Sequence, residues 1–478
     1  MGELKDKAIS GVKWNAIGRF STQGVNFIIG LILARLLSPS DYGVVGMGGI
    51  FFAIAQTFID SGFGSALIRK NDCTDTDYST AFYFNVLVGL VCCILLFLAS
   101  PFIANFFNTP ILKDVVRVMS LNMLVGSFAI VHGTKLTHSI DFKSQAKVGL
   151  LTSILSGSVG IIMAYKGLGV WSLVFQNLIA TIIRVTLLYI YTKWLPIWQF
   201  SKDSFHYLFS FGSKILTASL LHTIYSNMTT LIIGKTYTAR DLGFYTRAQS
   251  LASFPSTNIS GILQSVTFPV LSKIQDNDEH LIDSYRKLIS MTSIVIFWGM
   301  CLLAALAKPL VVTLLTDKWL DAVIYLQIFC FGYMFDHICQ LNLNILYVKG
   351  YSNLVLRLEL IKKTISISMI LVAIPIGPLA ICVAGTLYTQ IAVFINTYYT
   401  GKLFGLGYCK QMQDFFKYFA CSFVSIVPTF IMTYSNISNI LQIFVGSLSS
   451  LCIYYILLKK DAILAELLDL IKTSLKLK

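Results

Sequence analysis

Polar residues recur at three- and four-residue steps inside segments of this chain that are otherwise apolar. Asn15, Arg19, Thr22, Gln23, Asn26 and Gly30 fall on one face of a helix. Gly46, Gly49, Ala53, Gln56 and Asp60 make a thinner stripe on the next segment. Arg247, Ser250, Thr257, Asn258, Gly261 and Gln264 make a third, and Tyr333, Asp336, His337, Gln340 and Asn344 a fourth. Arg184 stands within an apolar segment without a helical acidic neighbour. These residue types suit recognition more than bond-making. A guanidinium donates two parallel hydrogen bonds to an oxyanion such as phosphate, and amides and hydroxyls stand in for lost hydration. The adjacent Asp336 and His337 are candidates to take up and release a proton or ion.

Motifs for other chemistry are missing. The ten cysteines include no CxxC pair, and Cys92, Cys93, Cys330, Cys339, Cys382 and Cys452 lie inside apolar runs as small packing residues. The six histidines have no metal-ligand spacing, and there is no GxxxxGK[ST] loop and no GxSxG elbow. The sequence therefore implies no metal, no cofactor and no nucleotide hydrolysis through a P-loop.

The elements that carry the stripes are membrane helices. Of 478 residues 55% are hydrophobic and 13% charged, against roughly 25% charged in soluble domains, and the mean hydropathy is +0.72. About fourteen runs approach the roughly 20 apolar residues of a spanning helix: 14–37, 42–66, 79–107, 115–136, 146–165, 168–192, 208–234, 244–270, 287–312, 319–346, 354–374, 377–400, 412–433 and 437–458. They far exceed the 9–11 residues of a membrane strand, so an all-α polytopic protein is expected. The first run has no small-residue cleavage site and is too long for a cleaved signal peptide. Lys and Arg concentrate in alternate loops, with Lys143, Lys202, Arg286, Lys349 and Lys402 on one side. The positive-inside rule makes that side, and both termini, cytoplasmic. The net charge of +14 is spread over these loops and forms no nucleic-acid patch. The longest outward connections, near 101–114 and 309–319, are too short to house a catalytic domain, which favours a transporter over an enzyme.

The chain also repeats itself. LILARLLSPSDYG at 31–43 returns as LIIGKTYTARDLG at 231–243, with Leu31, Ile32, Asp41 and Gly43 matched by Leu231, Ile232, Asp241 and Gly243. Two related halves are a common transporter design. Residues 1–200 are read as a first lobe, 201–402 as a second, and 403–478 as a helix pair with a cytoplasmic tail.

Residues 7–70 resemble the opening of the polysaccharide flippases of the MOP exporter superfamily, which also holds the lipid II flippases and MATE drug exporters. The resemblance rests on the basic start, Arg19, the LLSPSDYG turn at 36–43 and DSGFGSALIRK at 60–70. DLGFYTRAQSLASFP at 241–255 and LTHSIDFKSQAKV at 136–148 carry it further along the chain. The nearest members are exporters of colanic acid, O-antigen and similar surface polysaccharides. The resemblance implies two MATE-like six-helix lobes around a central cavity, two extra C-terminal helices and a bacterial inner-membrane location. The implied substrate is an oligosaccharide on undecaprenyl pyrophosphate, flipped by alternating access. The implied partners are membrane lipids, a coupling proton or sodium ion, and the polysaccharide polymerase machinery.

On that reading Arg19, Gln23, Asn26, Arg184 and Arg247 line the cavity. Pro255, Gly261 and Pro269 are where the eighth span bends. Each charge has a plainer alternative. Arg19 lies close enough to the inner headgroups to snorkel, Lys214 reads as an interfacial anchor, and Arg184 also suits bonding to carbonyls. Arg247 sits near the outer rim. Asp336 and His337 read equally as a structural pair, and Asp41 and Asp241 as helix caps. A MATE-like cation-coupled exporter is the competing class, and would want an acidic cavity. A non-transporting scaffold is a third, and would need no polar stripes. The span count and charge bias predict that reporter fusions at Lys143, Asp278 and Lys478 report cytoplasm, and fusions after Ser40 and Asp317 the far side. Opposite answers at Lys143 and Lys478 would break the register.

Overall fold

The computed structural model describes residues 2–70 and 72–476, with side chains apart from those at 2–10, 12, 257–270, 273, 470, 471 and 473–476. Thr257, Asn258, Gly261, Gln264 and Pro269 of the eighth span, and the tail Lys478, thus lie outside the residues whose side chains are described.

Helices make up the protein, with no strand among the described residues. In order they are α1 (Gly2–Leu36), α2 (Pro39–Asp60), α3 (Phe63–Arg69), α4 (Asp75–Phe106), α5 (Leu112–His138), α6 (Phe142–Tyr165), α7 (Val170–Thr192), α8 (Lys202–Thr236) and α9 (Ala239–Lys273). They continue as α10 (Asp278–Ala305), α11 (Ala307–Leu315), α12 (Ala322–Tyr333), α13 (Asp336–Val348), α14 (Ser352–Ala373), α15 (Pro378–Phe404), α16 (Tyr408–Met432), α17 (Asn439–Leu458) and α18 (Ala462–Lys476). Each expected span meets one helix or a broken pair: α2 with α3, α10 with α11, and α12 with α13. Eleven are long and apolar enough to cross a membrane. The other three, α8, α9 and α14, carry too many polar or charged residues, and α9 includes the third stripe.

The helices gather into two compact units, Met1–Gly243 and Phe244–Lys478. In the first, α4 lies along α5, α1 along α6, α6 along α7 and α2 along α8. Small residues permit this closeness, as in other membrane helix pairs. A Cβ on Gly18 would stand 2.4 Å from that of Ala146, and one on Gly157 would stand 2.1 Å from the Ile29 Cδ1. The end of this unit that carries α3 is an aromatic and aliphatic core of Phe63, Leu67, Tyr78, Phe82, Trp194 and Leu208.

In the second unit α10 and α16 lie together, as do α16 and α17, and α14 and α15. A buried polar knot ties four of its helices. Gln411 Nε2 donates to Asn342 Oδ1 at 3.0 Å, to Thr400 Oγ1 at 3.0 Å and to the Leu406 carbonyl at 2.9 Å. Its Oε1 accepts from Asn342 Nδ2 at 2.9 Å and from the Tyr285 hydroxyl at 3.3 Å. A fully satisfied network of this kind in a low-dielectric interior holds its helices in one arrangement. Arg286 adds a two-point bond to Asp414 at 2.9 and 2.6 Å. Asp461, between α17 and α18, takes Lys417, the Tyr418 hydroxyl and the amides of Ile463 and Leu464. Burial alone would raise its carboxyl, but Lys417 and the two amides outweigh burial and hold it below the ordinary range.

The repeat seen in the sequence is a repeat of local structure. Ser38 caps α2, its Oγ accepting from the Asp41 amide while the Asp41 carboxylate accepts from the Ser38 amide at 2.9 Å. Thr238 and Asp241 repeat the exchange at the start of α9, at 3.2 Å in both directions. These are reciprocal capping boxes, so the two aspartates serve as box partners of the capping hydroxyls. The turns themselves touch with matching symmetry. A Cβ on Gly43 would lie 1.6 Å from the Ala239 carbonyl oxygen, and one on Gly243 would lie 1.9 Å from that of Pro39. Residues 39 and 239, and 43 and 243, are each one repeat apart, so the contact is reciprocal and only glycine fits at its centre. We predict that Gly43→Ala or Gly243→Ala lowers thermal stability in detergent by roughly 1–3 kcal/mol, the usual cost of overpacking. Gly49→Ala, where a Cβ meets nothing within 4 Å, should leave it unchanged. Equal melting of all three variants would show that the turns part freely.

Candidate substrate cavity in the first unit

Thr22 of the α1 stripe and Gln56 and Asp60 of the α2 stripe meet polar residues of α5, α6 and α7 at a hollow inside the first unit. Its volume is about 1130 Å³. On α7 the spacing of Asn177, Thr181, Arg184 and Leu188 puts all four on one face, and that face forms a wall. Gly126 and Gly133 of α5 and Gly149 of α6 also line it. A Cβ on Gly133 would meet no atom within 4 Å, so these glycines leave space that larger residues would fill.

Asp60 and Arg184 are the two charged side chains among the described lining residues, and both are exposed to the hollow. Asp60 ends α2, and its Oδ1 accepts from Gln56 Nε2 at 3.0 Å. The chain then breaks through left-handed Ser61 (φ 44) and Gly62 (φ 72) into α3. That break is fixed from outside. A Cβ on Gly62 would lie 2.6 Å from the Gly212 carbonyl of α8, and one on Gly212 would lie 2.6 Å from that of Ser61. The Ser61 hydroxyl also donates to Asn85 Oδ1 of α4 at 3.2 Å. The carboxylate is thus carried by a backbone pinned on two sides.

Several polar atoms of the wall have no protein partner. Asn122 Oδ1 of α5 and Thr152 Oγ1 of α6 are buried and unbonded. A buried polar atom left unpaired costs about 1–3 kcal/mol, so these atoms imply water or a polar ligand. Asn177 and Thr181 instead bond back to their own helix, to the carbonyls of Leu173 at 2.9 Å and Asn177 at 3.0 Å.

A smaller hollow of about 330 Å³ lies alongside, between α1 and α6. Arg19, Gln23 and Asn26 line it, facing Phe142 and Gln145. Thr22 and Gln145 line both hollows, so they share a wall. Arg19 and Asn26 are exposed, while Gln23 is half-buried with its Oε1 unbonded. The structure therefore brings Arg19, Gln23 and Asn26 together and sets Arg184 in the neighbouring cavity. Arg247 is half-buried on α9 in the second unit. Asp336 opens α13 after a break at Met334 and Phe335, and His337 is fully buried with its Nε2 2.9 Å from Ser293 Oγ. Sequence reasoning placed Asp60 on the polar stripe of the second span without a role of its own, and passed over Asn122, Thr152, Asn177 and Thr181. The signal that would have found the α7 residues is their helical register with Arg184.

The pattern of the polysaccharide biosynthesis protein family matches residues 32–324, more than half of the chain. Teichuronic acid biosynthesis protein TuaB of Bacillus subtilis (strain 168) is 24% identical over 356 residues, 74% of each chain. Lipopolysaccharide biosynthesis protein WzxC of Escherichia coli (strain K12) is 26% identical over 336 residues, 68% of this chain and 67% of that one. The structure of lipid II flippase MurJ in an inward closed conformation superposes with a TM-score of 0.75 at 15% identity, covering 93% of this chain and 99% of that one. That last likeness establishes a shared fold, the one implied by the motifs at 36–43 and 60–70. With its fold and its sequence pattern both matched, this multi-pass membrane protein belongs to the polysaccharide biosynthesis protein family.

Proposed function

We propose that the protein flips an undecaprenyl-pyrophosphate-linked oligosaccharide from the inner to the outer face of the bacterial cytoplasmic membrane, for surface polysaccharide or lipopolysaccharide assembly, and catalyses no covalent step. The observation that carries this reading is the first-unit cavity. Its volume of about 1130 Å³ exceeds the roughly 300–1,000 Å³ of sites for drug-sized ligands. Its wall mixes polar and apolar residues, and among the described lining residues it carries one arginine and unbonded amide and hydroxyl atoms. A pyrophosphate and a chain of sugars cannot shed their hydration into hydrocarbon, and such a wall replaces it. Arg184 anchors the pyrophosphate through paired donors. Arg19, Gln23 and Asn26 handle the headgroup at the adjoining hollow, and Arg247 does so from the second lobe. The polyprenyl tail stays among the membrane lipids along the C-terminal helix pair, and lobes 1–200 and 201–402 rock to change the open side. Both termini are cytoplasmic on this reading. Product passes to the polymerase machinery, and no nucleic acid is involved.

Two variant series test the reading. Arg184→Gln should reduce affinity for the lipid-linked pyrophosphate by roughly tenfold or more, the value of a charge-assisted bond, and reduce export while the protein stays in the membrane. Arg19→Ala should impair export, with Arg19→Lys restoring it only in part, because an ammonium lacks the guanidinium fork. Full export by both Arg184→Gln and Arg19→Ala would remove the phosphate-binding role.

Asp336 and His337 are proposed as the coupling site for a proton or sodium ion. Asp336→Asn keeps size and hydrogen bonding but removes the charge. It should slow export and weaken its response to collapse of the ion gradients. An unaltered rate and unaltered response would leave the pair as packing residues.

A further inference from the structure

Among the described lining residues of the larger cavity there are one cation, Arg184 of α7, and one anion, Asp60 of α2. An isolated charge inside a membrane protein is costly, and so is an isolated guanidinium facing a cavity that must close and reopen. An acid in the same hollow offsets it. Other charges near Asp60 are directed elsewhere. Lys70 of the α3 end is paired with Asp77 at 2.7 Å, Lys135 of α5 with Asp75 at 3.2 Å, and Arg69 lies over the Phe211 ring. His132 of α5 is fully buried, with its Nδ1 2.7 Å from Thr192 Oγ1. Arg19 of α1 belongs to the smaller hollow, and His222 of α8 lies 3.4 Å from Ser226 on its own helix. Lys214 of α8 is exposed and does not line the cavity, where α8 contributes Ile215, Leu216 and Ser219.

We infer that Asp60 is the built-in counter-ion of Arg184: it neutralises the empty cavity, and a diphosphate headgroup must displace it electrostatically to bind. The inference rests on the reading of Arg184 as the headgroup anchor. Its consequence is a limit on affinity. With Asp60 ionised, the bound phosphates share the guanidinium with a repelling carboxylate, so the headgroup binds less tightly than Arg184 alone would allow and leaves more readily. The backbone favours this role over an incidental one, because the Ser61–Gly62 break and the Gly62–Gly212 contact hold the end of α2 in place. The Gln56 bond restrains the carboxylate further.

The test uses the purified full-length protein and farnesyl pyrophosphate, a short prenyl diphosphate without sugar, with affinity read by calorimetry. Asp60→Asn should bind about tenfold more tightly than wild type at pH 8, where the carboxylate is charged. That gain should vanish in an Arg184→Gln background. As pH falls and the carboxylate takes up a proton, wild-type affinity should approach that of the variant, with titration of the ligand common to both. A merely structural role has the opposite sign, since damage to the α2 end weakens binding. Asp60→Ser removes the charge with a different side chain and serves where Asp60→Asn does not fold. Unchanged or weaker binding by the charge-removed variant at pH 8, with binding still lost in Arg184→Gln, overturns the counter-ion and leaves the anchor standing. Wild-type binding by Arg184→Gln overturns the anchor and the counter-ion with it.

Discussion

Inside a membrane, a polar group that finds neither a partner nor water imposes a penalty of several kcal/mol, and one polar cluster in each unit meets that constraint differently. In the second unit Gln411, Asn342, Thr400 and Tyr285 are fully buried and satisfy one another. The result is a joint between α10, α13, α15 and α16. In the first, helices of similar length carry polar faces that do not close on each other. Asn122 Oδ1 and Thr152 Oγ1 remain unbonded beside a hollow of about 1130 Å³. Unmet hydrogen-bonding capacity next to empty volume is the physical mark of a binding site. The same residue types, packed tightly, mark a brace.

Backbone approaches draw helices of the first unit together. Gly18 against Ala146 draws α1 onto α6, and Gly62 against Gly212 draws the end of α2 onto α8. The reciprocal approach of Gly43 to Ala239 and of Gly243 to Pro39 belongs to the same scheme. One turn, present twice in the sequence, packs on its own copy, so each copy must supply both the glycine and the carbonyl that meets it. A repeat that makes a self-complementary contact is constrained at both positions at once. This explains why Gly43 is matched by Gly243, and the capping boxes explain why Asp41 is matched by Asp241.

Legibility from the sequence followed the range of the interactions. Span number came through because hydropathy is summed over some twenty residues; the reading of Asp41 and Asp241 as helix caps came through only in part, because the caps are Ser38 and Thr238 and the aspartates are their box partners three residues on. The breaks did not. Residues 42–66 and 319–346 each read as one span, yet left-handed Ser61 and Gly62 end α2, and Met334 and Phe335 separate α12 from α13. Met and Phe carry no breaking signal of their own, while the Ser61–Gly62 turn pair stands inside an apolar run that masks it, and contacts with Gly212 and Asn85 hold that turn. The α1 stripe was legible because amides and an arginine are rare in a span. The α5, α6 and α7 walls were not, because isolated Ser, Thr and Asn occur on lipid-facing helices too, where they bond back to carbonyls as Thr181 does. Only packing reveals which of them face space.

The low number of charges in the cavity is itself informative. A site built for maximal affinity toward pyrophosphate would gather several arginines and bury them. Among its described residues this wall has one, exposed, with an acid in the same hollow and uncharged donors and acceptors around it. Tight binding adds nothing to a carrier that must also release, since an interaction made equally before and after translocation stabilises the loaded protein without advancing it. Neutral hydroxyls and amides suit sugars, whose hydration they replace at modest energy per bond, and they tolerate variation in sugar identity that a rigid charged pocket would reject. On the proposed reading the cavity couples one electrostatic anchor, held in check, to a broad surface of weak polar contacts. That combination favours a large, variable and strongly hydrated cargo over a small cation.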